Sequence, residues 1–117
     1  MSFNAVKVDF TIEASADLSA QQFRAVKIGT NGAVVAGVNE SNIAGILQNN
    51  PNAAGQAAIV QYKGAARAKV GAAVARGALL ATDANGDLIT TATQADVVAV
   101  ALEAGSGAGS IVAVLLK

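Results

Sequence analysis

The sequence predicts an all-β chain, a compact sandwich or small barrel of short strands with at most one or two short helical turns. Three observations carry that prediction. Apolar and polar residues alternate near the start, turn residues then recur at short intervals, and the 53% of hydrophobic residues is spread over many short runs. No apolar span reaches the 18 residues of a membrane helix.

The first element is AVKVDFTIE, residues 5–13. Val6, Val8, Phe10 and Ile12 fall on one face and Lys7, Asp9, Thr11 and Glu13 on the other, the period of a half-buried strand. Residues 14–22 break the alternation, and Asp17 or Ser19 could cap one helical turn at most. Short β-rich runs follow at about 23–28, 33–36, 43–47, 57–62, 65–70, 78–81, 87–91, 97–102 and 110–116. Glycine- and asparagine-rich segments separate nearly all of them. The one helical candidate is GAAVARGALLA, residues 71–81, where alanine favours a helix and Gly71 and Gly77 limit it to a turn or two. We divide the chain into an N-terminal arm, residues 1–4, and a single β-rich domain, residues 5–117. Phe3 makes the arm a candidate partner contact, because an aromatic ahead of the first strand needs cover from its own core or a neighbour's.

Sliding the chain by 54 residues places Thr30-Asn31-Gly32-Ala33-Val34 over Ala84-Asn85-Gly86-Asp87-Leu88 and Ala53-Ala54-Gly55-Gln56 over Gly107-Ala108-Gly109-Ser110. Val60 then meets Val114. This suggests an internal repeat of two β-units.

Composition excludes much chemistry. The 117 residues hold 8 basic and 8 acidic side chains, so no net field draws in nucleic acid or an anionic membrane. Histidine and cysteine are absent, which removes disulfides, thiol nucleophiles, the usual zinc ligands and the commonest general base. The start, MSFNAVKVDF, has no apolar stretch of the kind that marks a signal peptide. With 28 alanines and 12 glycines, the core must be built from small side chains, and burial against partner subunits is a natural supplement.

Asp83, Asn85 and Asp87 imitate the opening of an EF-hand loop, but Leu88 and Gln94 stand where that loop needs glycine and a bidentate glutamate. A hairpin with Asn85-Gly86 at its tip, both residues at positive φ, fits better. GSGAGS, residues 105–110, leads into a strand where a dinucleotide site needs a helix. No nucleophile elbow or phosphate loop occurs. The sequence therefore predicts no enzyme, no cofactor and no metal site. In QYKGAARAKVG, the basic residues Lys63, Arg67 and Lys69 share strand parity with Gln61 and Ala65, so an extended chain presents three cations on one face. That face is either solvated or docks on an acidic protein surface; interleaved aromatics suited to nucleic acid are lacking.

Three segments carry a family resemblance: ADLSAQQFRAVKIGTNGAVV, the run IAGILQNNPNAAGQAAIVQYKGAARAKVGAAVARGALLATDANGDLI, and VVAVALEAGSGAGSIVAVLL. Within them Gly45 to Asn49, Gly77 to Gly86 and Ala101 to Ala104 are the most telling. Together they resemble the small capsid decoration, or cement, proteins of tailed bacteriophages, over about residues 16–116. The chain departs from that pattern at Gly77-Ala78, where relatives often have Gly-Asp. The resemblance implies a β-rich virion protein on the outer capsid surface, assembled in the host cytoplasm, commonly a homotrimer. Its expected partner is the major capsid protein, with no direct nucleic acid and no membrane. The alternative is a tail, fibre or baseplate component.

Overall fold

The computed structural model describes residues 8–40 and 42–116. Among them are nine strands: β1 Val8–Glu13, β2 Ala25–Gly29, β3 Gly32–Val35, β4 Gly45–Leu47, β5 Ala57–Lys69, β6 Leu79–Thr82, β7 Leu88–Thr90, β8 Ala99–Ala101 and β9 Ile111–Leu116. A single 3-10 turn, Gln94–Asp96, is the one helical element among the described residues. The strands pair in the order β3-β2-β4-β5-β9-β8-β6-β7, with β1 joined to β5. Every ladder is antiparallel.

This single path curls into two halves of one design. In the first half β1 lies on the N-terminal part of β5, followed by β4, β2 and β3. In the second the C-terminal part of β5 takes the place of β1, followed by β9, β8, β6 and β7. A parallel bridge closes each half on itself, Ala14 with Ala33 in the first and Val70 with Leu88 in the second. The result is two small barrels in tandem, sharing the long strand β5.

The repeat suggested by the 54-residue slide is therefore real, although past the hairpin tip Ala33 answers to Leu88 and not, as that slide has it, to Asp87; through β2, β4 and the first part of β5 the 54-residue register is kept. Ala25 pairs with Ile46 as Leu79 pairs with Val100, and Leu47 with Val60 as Ala101 with Val114. Phe23 N–H donates to Leu47 O at 2.7 Å, and Gly77 N–H to Ala101 O at 2.8 Å. Phe23 and Gly77 also share positive φ, 71° and 86°. Two hydrophobic clusters fill the barrels. One holds Ala14, Leu18, Val26, Ala33, Leu47, Ala58 and Val60, with Phe10 and Ile12 against it. The other holds their counterparts Val70, Val74, Leu80, Leu88, Ala101, Val112 and Val114, together with Ala66 and Ala68.

The alternation read in residues 8–13 holds, with Val8, Phe10 and Ile12 half-buried and Asp9, Thr11 and Glu13 exposed. Three other expectations need correction. The helical candidate at 71–81 forms no helix: Val74 bridges to Gly105 and β6 begins at Leu79, because both segments are needed to wall the second barrel. Nor is there a helical turn after β1, where the Asp17 carboxylate accepts the Ser19 N–H at 2.9 Å and the Ser19 hydroxyl at 2.6 Å in a local turn.

The third correction concerns the tip of the β6–β7 hairpin. Only Gly86 takes positive φ, 77°, while Asn85 does not. Pairing stops at Thr82 with Leu88, the Gly86 N–H donates to Asp83 O at 3.2 Å, and the Asp83 N–H to Asp87 O at 2.8 Å. This is a turn closed by one left-handed glycine, not a two-residue loop. The Asp83 carboxylate accepts the N–H groups of Asn85 and Asp87 at 2.8 and 3.0 Å, so it is occupied by its own loop.

The runs at 57–62 and 65–70 merge into one strand, β5, which bends at Gly64, φ 86°. The buried Gln61 amide spans the bend, donating to Lys63 O at 3.0 Å and Ala65 O at 2.7 Å. Two carbonyls beside the kink are thereby satisfied, which a buried polar group requires.

Candidate functional site

The bend decides the fate of the basic face. The ladder with β1 shifts register at Tyr62, pairing Val8 with Lys63 and Asp9 with Gln61, and Gly64 takes positive φ, so alternation is interrupted between Gln61 and Ala65 and the three cations do not form one uninterrupted row. Gln61 and Ala65, assigned to that face by alternation, are buried instead. Tyr62, assigned to the opposite face, is exposed and packs edge-on against Phe10 with ring centroids 5.7 Å apart. Lys63 is exposed but belongs to the first barrel's end of β5, opposite Val8. Phe3 and the arm at residues 1–4 lie outside the described residues.

Arg67 and Lys69 do stand together on the outside of the second barrel. Directly paired residues in an antiparallel ladder share a face. Lys69 pairs with Ile111, Arg67 with Ala113 and Ala65 with Leu115, while Leu115 also pairs with Val100 on β8. Ile111 and Leu115 are each 41% exposed, large apolar side chains that water does not favour. The outer face of β5, β9 and β8 is thus a strip of two cations beside two exposed aliphatics. Sequence reasoning missed Ile111 and Leu115, although IVAVLL is apolar at every position where a half-buried strand would alternate.

The junction of the barrels is a second polar locality. The tip of the β6–β7 hairpin rests on the first barrel: Gly86 O accepts the Ala25 N–H at 2.8 Å, and a Cβ at Gly86 would lie 2.6 Å from Val35 Cγ1. Beside it the Arg24 Nε donates to Asp87 Oδ1 at 3.0 Å. Burial pushes the Asp87 carboxyl above its ordinary value; the Arg24 guanidinium pulls it down and the Asp83 carboxylate pushes it up. A shallow groove of about 280 Å³ runs nearby, lined by Ser19, Ala20, Gln22, Phe23, Lys69 and Ile111. Its one ionisable lining group is Lys69, so it offers no acid–base pair. Among the described residues no three carboxylates converge on a point where a metal ion could sit.

No protein-family model and no curated protein matches the chain. A solved structure does: the N base of the head fibre gp8.5 of bacteriophage phi29. It aligns with 96% of this chain and 95% of its own at a TM-score of 0.76 and 18% identity. The tandem architecture is therefore a fold this chain shares with a head fibre base.

Proposed function

We propose that this chain is a structural protein of a phage virion that decorates and stabilises the outside of the head by binding the major capsid protein as a homotrimer. The observation that carries the reading is the end-to-end likeness to the head fibre base, which covers nearly the whole of both chains. The decoration-protein resemblance of residues 16–116 supports the same setting. A chain without histidine or cysteine, with Asp83 held by its own loop and Glu40 and Asp87 in ion pairs, is suited to packing. We assign the docking role to the outer strip of Arg67, Lys69, Ile111 and Leu115, where aliphatic contact supplies affinity and the cations favour an acidic partner.

The test is electron cryomicroscopy and peptide mass spectrometry of purified particles made with the native chain and with Ile111→Asp. Density on the head shell that vanishes with the variant is the expected result. A protein found only on the tail, or absent from particles, would overturn the assignment. A second reading, attachment of a longer fibre to the head, is favoured by the neighbour's being a fibre base. It would show as fibre density rooted on this protein.

A further inference from the structure

The contact between the two barrels of one chain is one-sided. The second barrel supplies a hairpin tip and the first a cradle. In the tip, Thr82 O accepts the Asn39 N–H at 2.9 Å, Thr82 Oγ1 accepts the Glu40 N–H at 2.9 Å, and the Thr82 hydroxyl donates to Gly37 O at 2.7 Å. In the cradle, Ala25 and Ala36 are buried beneath Gly86. Since both barrels follow one plan, each chain also carries a second tip, on the first barrel, and a second cradle, on the second barrel. Among the described residues, neither is engaged as its counterpart is.

The second tip is the β2–β3 hairpin. Ile28 stands there in the place of Thr82, and it is 53% exposed where Thr82 is fully buried. The second cradle is Leu79 with residues 91–95, in the places of Ala25 and residues 36–40. Its frame is already set, since the Thr91 N–H donates to Leu79 O at 2.9 Å as the Ala36 N–H donates to Ala25 O at 2.9 Å. Leu79 and Thr91 are half-buried, and residues 92–95 are exposed, where the filled cradle buries Ala25 and Ala36. Charge points the same way. Within the chain Lys69 and Gln22 line one groove, and the Lys69 N–H donates to Phe23 O at 2.8 Å. Their counterparts are Glu13 beside the second tip and Arg76 beside the second cradle, opposite charges and both exposed.

We infer that the β2–β3 tip of one copy docks in the Leu79 cradle of a second copy, repeating between chains the contact that joins the two barrels within one. Ile28 is covered in that contact and Glu13 of one copy faces Arg76 of the other. The interface is head-to-tail, each copy giving a tip and receiving one, so it propagates until a ring closes. The inference rests on the fold alone and stands or falls independently of the capsid assignment.

Sedimentation equilibrium of the full chain tests it first. Ile28→Asp is expected to weaken self-association by at least about tenfold, the scale of a central interface anchor. Glu13→Arg and Arg76→Glu should each weaken it, and together in one chain restore it. Because the chain has no cysteine, Ile28→Cys and Gln94→Cys can be oxidised cleanly. The two single variants mixed should give a linked dimer, each alone should stay unlinked, and the double variant should give a ladder. Circular dichroism checks that every variant folds, and the cross-linking arm decides should Ile28→Asp fail to. A native chain that is monomeric up to millimolar concentration would overturn the inference. So would self-linking by Ile28→Cys alone, or an Ile28→Asp chain that associates like the native one.

Discussion

The first barrel fills its interior with Phe10, Ile12, Leu18 and Leu47, where the second has Ala66, Ala68, Val74 and Ala101. The second answers with Val70, Leu80, Leu88 and Val112, where the first has Ala14, Val26, Ala33 and Ala58. Large and small residues have traded places around one closed wall. What the two units hold in common is backbone bonding, and the exchanges run in both directions, as expected where a close-packed core constrains the sum of its side chains more tightly than any one of them. The second barrel also extends its core with Ala25, Ala36 and Ile46 from the first. The units are thus alike in plan and unequal in independence.

The sharpest way to break the likeness is at Gly45, whose counterpart is Ala99. Gly45 has φ 155°, and a Cβ there would lie 2.2 Å from Gln61 O and 2.8 Å from Val60 Cγ1. Gly45→Ala is expected to cost more than about 3 kcal/mol in urea unfolding, the scale of severe overpacking. Ala99→Gly should cost only about 1 kcal/mol, through chain entropy. Next in size is the volume exchange itself. Leu47 is fully buried, so Leu47→Ala should cost about 2–5 kcal/mol, and Ala101→Leu about 1–3 kcal/mol from crowding.

The smallest effect sharpens the comparison at the junction, where only the second barrel's tip carries a buried carboxylate. Folded Asp87 holds its proton more tightly than the unfolded chain does. Stability contributed by this group therefore rises as pH falls through the window between the raised folded value and the ordinary 3.8, and is lost as pH rises through it. Asp87→Asn should flatten that part of the pH profile of urea midpoints. At neutral pH it should shift stability by less than about 1 kcal/mol, since relief of the buried charge offsets the lost Arg24 contact.

Much of the fold was legible in the residues. Val8 to Glu13 announces its strand by period two, and the turn segments bracket the rest. The repeat was visible but faint, for reasons the structure makes plain. The offset is 54 residues through β2, β4 and the first part of β5, but one residue longer at the β6–β7 loop and two longer between β1 and β5. No single slide aligns all of it, and reciprocal core substitutions erase identities where bonding is conserved. The candidate face was half legible. Arg67 and Lys69 stand where alternation put them, whereas Lys63 is set apart by the interruption at residues 62–64, which a single glycine between a lysine and an alanine does not disclose. Ile111 and Leu115 were hidden because an unbroken apolar run reads as equally buried on both sides.

The shared strand also sets the order in which the chain can assemble as it is made. β1 has its antiparallel ladder with β5, and Phe10 finds its partner only in Val60. A growing chain must therefore hold its first strand unpaired on that side until the middle strand has emerged from the ribosome. The far half of β5 then waits in turn, because its ladder partner β9 is the last strand among the described residues to be synthesised. Synthesis leaves one half-paired edge after another, each closed by the strand that opens the next, and the edge left on β5 is closed only once β9 has been made.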